Sequence, residues 1–129
     1  MRNFKELEVW KKGMVLCKKT YEVVELIPER EKFGLKSQLC RSAVSNIAEG
    51  ASRNSEQDFG RFLEIALGSA FELETQLLIV QEQKWVSGNE LNETIDMVLS
   101  EQRMLFSLMQ KVKERSKALK ASTQNPVPR

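Results

Sequence analysis

The residues whose types and spacing best suit binding are Asn46, Glu49, Gly50 and Arg53. Offsets of three, four and seven residues place them on one side of a helix, where an amide, a carboxylate and a guanidinium could hold a partner. The same residues could instead make a polar contact between helices or subunits, with Glu49 and Arg53 as an i,i+4 ion pair and Gly50 making room. We favour this second interpretation because such pairs are common on helices.

Carboxylates in the middle of the chain are the only candidates for a metal site. Glu64 and Glu72 are eight residues apart and share a helix face with Glu74 nearby, but the chain has no histidine and no second carboxylate-rich motif. Too few ligands remain for a metal, so we expect neither a metal nor another cofactor. The lack of histidine also removes the Ser-His and Cys-His dyads and most catalytic zinc sites. We therefore predict a protein with no catalytic residue and no small-molecule substrate.

Basic residues are the best candidates for nucleic-acid contact, although the net charge is only +2. Residues 111–129 contain six basic residues and one acidic residue, whereas residues 55–86 contain two basic and six acidic residues. Weak phosphate contacts add together wherever a basic patch is repeated in an oligomer. The alternative is that these side chains contact only water. The excess of acidic residues at 55–86 favours this alternative. The candidates are Lys11, Lys12, Lys18, Lys19, Arg41, Arg53, Arg61, Lys111, Lys113, Arg115 and Lys117.

A single globular domain is predicted from 129 residues, of which 41% are hydrophobic and 29% charged. No window approaches the ~18 uninterrupted apolar residues of a membrane helix, and the first residues lack the apolar region of an export signal. We therefore expect a cytoplasmic protein with no membrane partner and free thiols. Cys17 and Cys40 have neither Cys-x-x-Cys spacing nor an evident basic partner, which favours small core residues over a redox pair.

Apolar residues recur with helical spacing in four segments, at about residues 6–27, 35–53, 55–86 and 87–120. Pro28 ends the first segment, Ser55 is the expected N-cap of the third, and Ser87 with Glu90 suggests a capping box at the start of the fourth. Gly50 implies either a weak helix or a closely approaching partner. No strand-like alternation competes with this pattern. The sequence thus predicts an all-α bundle of four antiparallel helices over residues 1–120, followed by a disordered basic tail at 121–129.

Each predicted helix carries an apolar stripe. On the first helix the stripe has steps of three and four residues, and on the third it is wider than a two-helix seam. On the fourth helix a heptad pattern is interrupted by Gln102, which can fix register. The stripes comprise Trp10, Met14, Cys17, Tyr21 and Val24 on the first helix; Phe59, Phe62, Leu63, Ala66, Ala70, Leu73, Leu77 and Val80, widened by Leu67, Phe71 and Leu78, on the third; and Leu91, Ile95, Val98, Leu105, Met109, Val112, Ser116 and Leu119 on the fourth.

Residues 33–78 contain a series of short motifs. They are Phe33-Gly34-Leu35, Ser37-Gln38-Leu39, Arg41, Asn46-Ile47-Ala48-Glu49-Gly50 and Arg53, followed by Phe59, Arg61-Phe62-Leu63, Ala66, Gly68-Ser69 and Glu72-Leu73-Glu74-Thr75-Gln76-Leu77. In these motifs the chain resembles the bacterial four-helix-bundle family encoded in 23S rRNA intervening sequences. The similarity extends more loosely through the first and fourth helices, so it covers about the whole chain except the basic tail.

The resemblance implies a left-handed up-down-up-down bundle that assembles as a homopentamer and has no enzymatic activity. The family is also similar to the accessory variability determinant of diversity-generating retroelements, a helical pentamer that engages nucleic acid and a reverse transcriptase; by analogy, RNA or single-stranded DNA is a candidate partner. The family-motif and interface candidates are Arg41, Asn46, Glu49, Gly50, Arg53, Arg61, Glu72 and Gln76.

One departure from the family concerns an Ile-Pro-Ser-like insertion found in many members. This chain runs directly from Ser45 to Asn46 at that place. Because three residues are nearly one helical turn, the direction of the helix face is roughly kept but a proline kink is lost.

Overall fold

Four helices make up the protein, as seen in a computed structural model that describes residues 2–34 and 38–124. They are α1 (Glu8–Leu26), α2 (Gln38–Ala51), α3 (Glu56–Gln83) and α4 (Glu90–Gln124). Two short 3₁₀ turns, Phe4–Glu6 and Glu29–Gly34, precede α1 and α2. The described parts contain no strand. The prediction of an all-α, four-helix protein is therefore confirmed.

The helix ends follow local sequence signals. Ile27 is extended, as expected for a residue that precedes proline, and α1 ends before it. The Ser55 hydroxyl accepts a hydrogen bond from the Asp58 amide at 3.0 Å, so the predicted N-cap of α3 is confirmed. Helix α3 ends where Lys84 takes a left-handed conformation, at φ 58°.

The start of α4 lies two residues later than the predicted capping box. The Glu93 amide donates to the Asn89 carbonyl at 2.9 Å, and the helix begins at Glu90. Gly88, with φ 95°, turns the chain just before it, a conformation that glycine adopts without steric cost. At its other end α4 reaches Gln124, four residues into the segment predicted to be a disordered tail. Residues 125–129 lie outside the described residues, so the division into domain and tail stays a prediction.

Helix α3 and helix α1 each pack against both α2 and α4. Two contiguous clusters of buried side chains fill the bundle. One contains Leu16, Val23, Leu77 and Val98 together with both cysteines, and the other is built around Ile47, Phe59, Leu63, Leu105 and Val112. Cys17 and Cys40 are both buried, which confirms their predicted place in the core.

The buried face of α1 differs from the predicted stripe. Met14 and Tyr21 are exposed, whereas Gly13, Leu16 and Thr20 are buried. The true face includes a glycine and a threonine, and the Thr20 hydroxyl is satisfied by donating to the Leu16 carbonyl at 2.8 Å. Because the prediction followed only larger apolar residues, it selected a stripe rotated towards solvent.

Three residues of the predicted stripes on α3 and α4 are also exposed rather than buried: Phe71, Leu78 and Leu119. Leu67, by contrast, is buried as expected. Arg115 of α4 pairs with Glu56, the first residue of α3. Leu119 lies about one helical turn beyond Arg115 on α4. Phe71 and Leu78 lie within α3 and belong to a surface described below.

Candidate functional site

Asn46 links α2 to α3 through a short polar chain. Its side-chain amide donates to the Ser42 carbonyl at 2.8 Å and to the Ser42 hydroxyl at 3.2 Å. The Ser42 hydroxyl in turn lies 3.0 Å from the hydroxyl of Ser69 on α3. Asn46 is thus engaged in a contact between helices.

Gly50 lets α3 approach the backbone of α2. A Cβ atom at this position would lie 2.7 Å from the Cβ of Phe62, closer than such atoms pack, and 3.3 Å from the Phe59 carbonyl oxygen, which is a tight contact. The neighbouring Arg53 pairs with Glu49 at 2.6 Å and covers the Phe62 ring at 4.9 Å from its centroid. This geometry is a contact between two helices beside an exposed i,i+4 ion pair. A binding role for Asn46, Glu49, Gly50 and Arg53 stays a prediction.

Other predicted motif residues take part in contacts within the chain. The Arg41 guanidinium donates to the Tyr21 hydroxyl at 2.9 Å and so joins α2 to α1. Glu72 is exposed and Gln76 is half-buried. The described parts of the chain hold no group of three metal-ligating side chains.

Gln102, the polar residue in the seam of α4, is buried against α3. Its amide donates to the Glu74 carboxylate at 2.8 Å, and the Ala70 carbonyl oxygen lies 3.4 Å from the same nitrogen. This pairing satisfies a buried polar group and ties one register of α4 to α3.

Basic side chains from two helices meet in a groove of about 290 Å³ between α3 and α4. Arg61 lies on the α3 side, and Lys113, Lys117 and Lys120 lie on the α4 side. We call this the basic groove. Glu56 and Glu64 also line it, and Glu56 pairs with Arg115 at 3.1 Å and with Arg2. Three residues predicted separately, Arg61, Lys113 and Lys117, are thus brought together.

The α1 lysines do not join the basic groove. Lys11 pairs with Glu8 at 3.5 Å, and Lys19 lies 3.6 Å from Glu22 and 3.9 Å from Glu93. Lys18 is exposed. Lys12 and Lys111 line two other grooves, both formed by residues near the N-terminus and on α4.

A row of exposed apolar residues runs along α3, on the side turned away from the core. These residues, Ile65, Phe71, Leu78 and Ile79, are 42% to 51% exposed. Gly68 lies among them, and a Cβ atom there would have no neighbour within 4 Å. Together with Gly68 they form what we call the α3 outer face. Since residues 2–34 and 38–124 leave this face uncovered, it is a candidate for contact with another molecule.

Glu101 on α4 is a buried carboxyl that the sequence analysis missed. It is 1% exposed, and within the described structure neither carboxylate oxygen has a hydrogen-bond partner. Its Oε2 atom faces Gly13 of α1, where an added Cβ would lie 3.0 Å away. Burial raises the pKa of Glu101 to about 8. A usable signal existed, because Glu101 follows Val98 by three residues and precedes Leu105 by four, within the apolar stripe.

The thiols of Cys17 and Cys40 contact each other beside this carboxyl. Hydrogen bonding to Cys40, with burial, raises the pKa of Cys17, while the same hydrogen bond lowers the pKa of Cys40. Glu101 is close enough to add to the effect on Cys17. Both cysteines are buried, so the pair is a feature of the core.

Comparison with known proteins gives one family. Residues 5–107 match the family described as 23S rRNA-intervening sequence protein. The match runs from before α1 to the middle of α4 and includes the α3 outer face. A search of curated proteins found no match. Among the described helices, none combines the length and the apolar character needed to cross a membrane.

Proposed function

This chain belongs to the family of 23S rRNA-intervening sequence proteins, and from that premise we propose that it is a non-catalytic scaffold that assembles with copies of itself. The proposed assembly is the homopentamer implied by the resemblance, built from left-handed bundles with antiparallel up-down-up-down helices. Its role is to present repeated surfaces to a partner.

The α3 outer face is the observation that carries this proposal. A helix in a globular bundle is expected to be polar on the side away from the core. Here Ile65, Phe71, Leu78 and Ile79 are each roughly half-exposed on that side. Contiguous exposed apolar residues mark contact sites, because covering them removes apolar surface from water.

Light scattering coupled to size-exclusion chromatography, at micromolar concentration, tests self-association. The expected result is a single species with a mass of several times 14.8 kDa, with five copies as the proposed number. Assembly by apolar contact should persist in 1 M salt, since screening weakens charge contacts and leaves apolar burial intact. A single particle of 14.8 kDa would overturn the proposal.

The basic groove supports a second function, contact with RNA or single-stranded DNA. Lys113, Lys117 and Lys120 line a groove of about 290 Å³ together with Arg61, and several positive charges in one groove suit a phosphate backbone. In an oligomer the groove is repeated once per copy, so weak contacts would add together. Recognition would depend on backbone charge and not on base identity.

Binding of a fluorescent single-stranded oligonucleotide, measured against salt concentration, tests this second function. Affinity should fall steeply with salt and should drop when Lys111, Lys113, Arg115 and Lys117 are all replaced by alanine. Two double variants, each with fewer substitutions, test the contribution of the basic groove alone. The double variant Lys113→Ala, Lys117→Ala should bind more weakly than the charge-matched control Lys5→Ala, Arg103→Ala, whose side chains do not line it. Salt-insensitive binding, no binding at low salt, or equal loss in both double variants would reject the groove as the binding site.

A further inference from the structure

We propose that copies of the chain join head to tail, with the α3 outer face of one copy docked into a groove between α1 and α4 of the next. This inference rests on the proposed self-association and names the two surfaces that make it. The occupant of the groove is thus a second copy of this chain.

The α3 outer face has the periodicity of a helix that packs on another helix. Three pairs of adjacent residues follow one another at intervals of seven residues, and each pair includes at least one exposed apolar side chain. The pairs are Glu64-Ile65, Phe71-Glu72 and Leu78-Ile79. A seven-residue repeat keeps one line of a helix facing a partner. Gly68 lies within this line, and no described atom lies within 4 Å of the place its Cβ would occupy, although glycine is less favourable than alanine in a helix. It would let an external helix approach closely.

The receiving groove lies between α1 and α4. One part, of about 290 Å³, is lined by Lys12 and Val15 of α1 and by Met97 and Met104 of α4. A second part, of about 260 Å³, shares Met104 and adds Leu7, Leu108 and Lys111. The two parts are separate grooves that adjoin at Met104, and together they form one receiving depression. Methionine side chains adapt readily to an inserted partner. We call this depression the α1–α4 groove.

Charge favours this pairing over contact between two identical α3 faces. Helix α3 carries six acidic residues and one basic residue. The α1–α4 groove is lined by two lysines, Lys12 and Lys111, and by two carboxylates, Glu8 and Asp96, so it meets the acidic α3 helix without an excess of like charge. A two-fold contact centred on Gly68 would set Glu64 of one copy against Glu72 of the other. Like charges opposed across an interface weaken the contact.

The two surfaces can be used at the same time. Helices α1 and α3 each pack against α2 and α4, so they lie across the bundle from one another. A copy can therefore offer its α3 outer face to one neighbour while its α1–α4 groove receives another. Contacts between two different surfaces repeat from copy to copy and close into a ring where the rotation allows.

Two single-surface variants test the pairing. Phe71→Glu places a charge on the α3 outer face, and Val15→Glu places one in the α1–α4 groove; both residues are about half-exposed, so each variant should fold with unchanged helicity. Each alone should be monomeric by light scattering. Leu26→Glu is the matched control, because Leu26 is equally exposed on α1 but outside both surfaces, and it should assemble like the unmodified chain.

Mixing the two variants gives the decisive result, at the concentration where the unmodified chain is fully assembled. Phe71→Glu retains an intact α1–α4 groove, and Val15→Glu retains an intact α3 outer face. One molecule of each variant can therefore make a single contact, through these two intact surfaces. The mixture should form a 1:1 dimer of about 30 kDa, twice the mass of one chain, and nothing larger.

The other outcomes separate this inference from the proposed function. If the unmodified chain assembles but Val15→Glu assembles equally well, or if the mixture stays monomeric, head-to-tail pairing is wrong while self-association stands. If the unmodified chain is itself monomeric, both proposals fail.

Discussion

Replacing Glu101 with glutamine is expected to stabilise the protein at neutral and alkaline pH. The Glu101 carboxyl lies between α4 and α1, with Gly13 opposite and Val44 of α2 in contact with the same space. Cys17 of α1 is the titratable group that faces it, hydrogen-bonded to Cys40 of α2, with Arg41 of α2 close to both thiols. Since none of these groups pairs with the carboxylate oxygens, ionisation leaves a charge buried without a partner.

The sign and size of the effect follow from the raised pKa. Below about pH 4 the carboxyl is protonated in both the folded and the unfolded chain, so it has no effect on the pH dependence of stability. Between the ordinary pKa of 4.5 and the folded-state pKa of about 8, the unfolded chain has lost a proton that the folded chain keeps. The free energy of unfolding therefore falls by about 1.4 kcal/mol per pH unit, and by about 5 kcal/mol over the full range.

Urea unfolding at pH 4, 6 and 8, at one fixed protein concentration, measures this contribution. Glu101→Gln should match the unmodified chain at pH 4, where a neutral carboxyl and an amide are similar, and should exceed it by several kcal/mol at pH 8. Glu114→Gln is the control on the same helix. Because Glu114 is exposed, that change should shift stability by no more than about 0.5 kcal/mol at any pH.

A constant difference between Glu101→Gln and the unmodified chain across this pH range would refute the reasoning. So would a loss of stability at pH 8, because it would mean that the carboxylate has a favourable partner in the folded protein.

Four further substitutions test the packing and one helix cap. Gly50→Ala should lower the free energy of unfolding by about 1–3 kcal/mol, because the new Cβ meets Phe62 and Phe59, whereas Gly68→Ala, where no atom lies within 4 Å, should leave the fold as stable or more so; equal urea midpoints for the two would contradict this. Leu73→Asp should unfold the bundle or abolish assembly, since an unpaired charge enters the core, and retained helicity and mass would refute that placement. Ser55→Ala should cost about 1 kcal/mol through loss of the Asp58 amide contact, and an unchanged melting temperature would show the cap to be unimportant.

Most of the fold could be predicted from local signals. Pro28 and Ser55 bound their helices because each acts on backbone within a few residues of itself. The stripe on α1 was misplaced because Gly13 and Thr20 are buried for reasons that depend on other helices. Gly13 makes room for Val44 and Glu101, and no periodicity within α1 encodes this.

The candidate surfaces could be predicted only in part. The basic character of Arg61, Lys113 and Lys117 is evident in the sequence, but their convergence depends on how α3 packs on α4. Phe71 and Leu78 were expected to widen the core, because an exposed apolar residue and a buried one look alike in a sequence. Only the packed bundle shows that α3 has a second apolar side.

Native mass spectrometry of the protein purified from its own cell tests the central claim, that apolar surface left over on α3 joins copies of the chain. The account predicts one assembly at a multiple of 14.8 kDa, about 74 kDa for five copies, and would reveal any bound oligonucleotide as added mass. A spectrum that contains only the 14.8 kDa chain would contradict it.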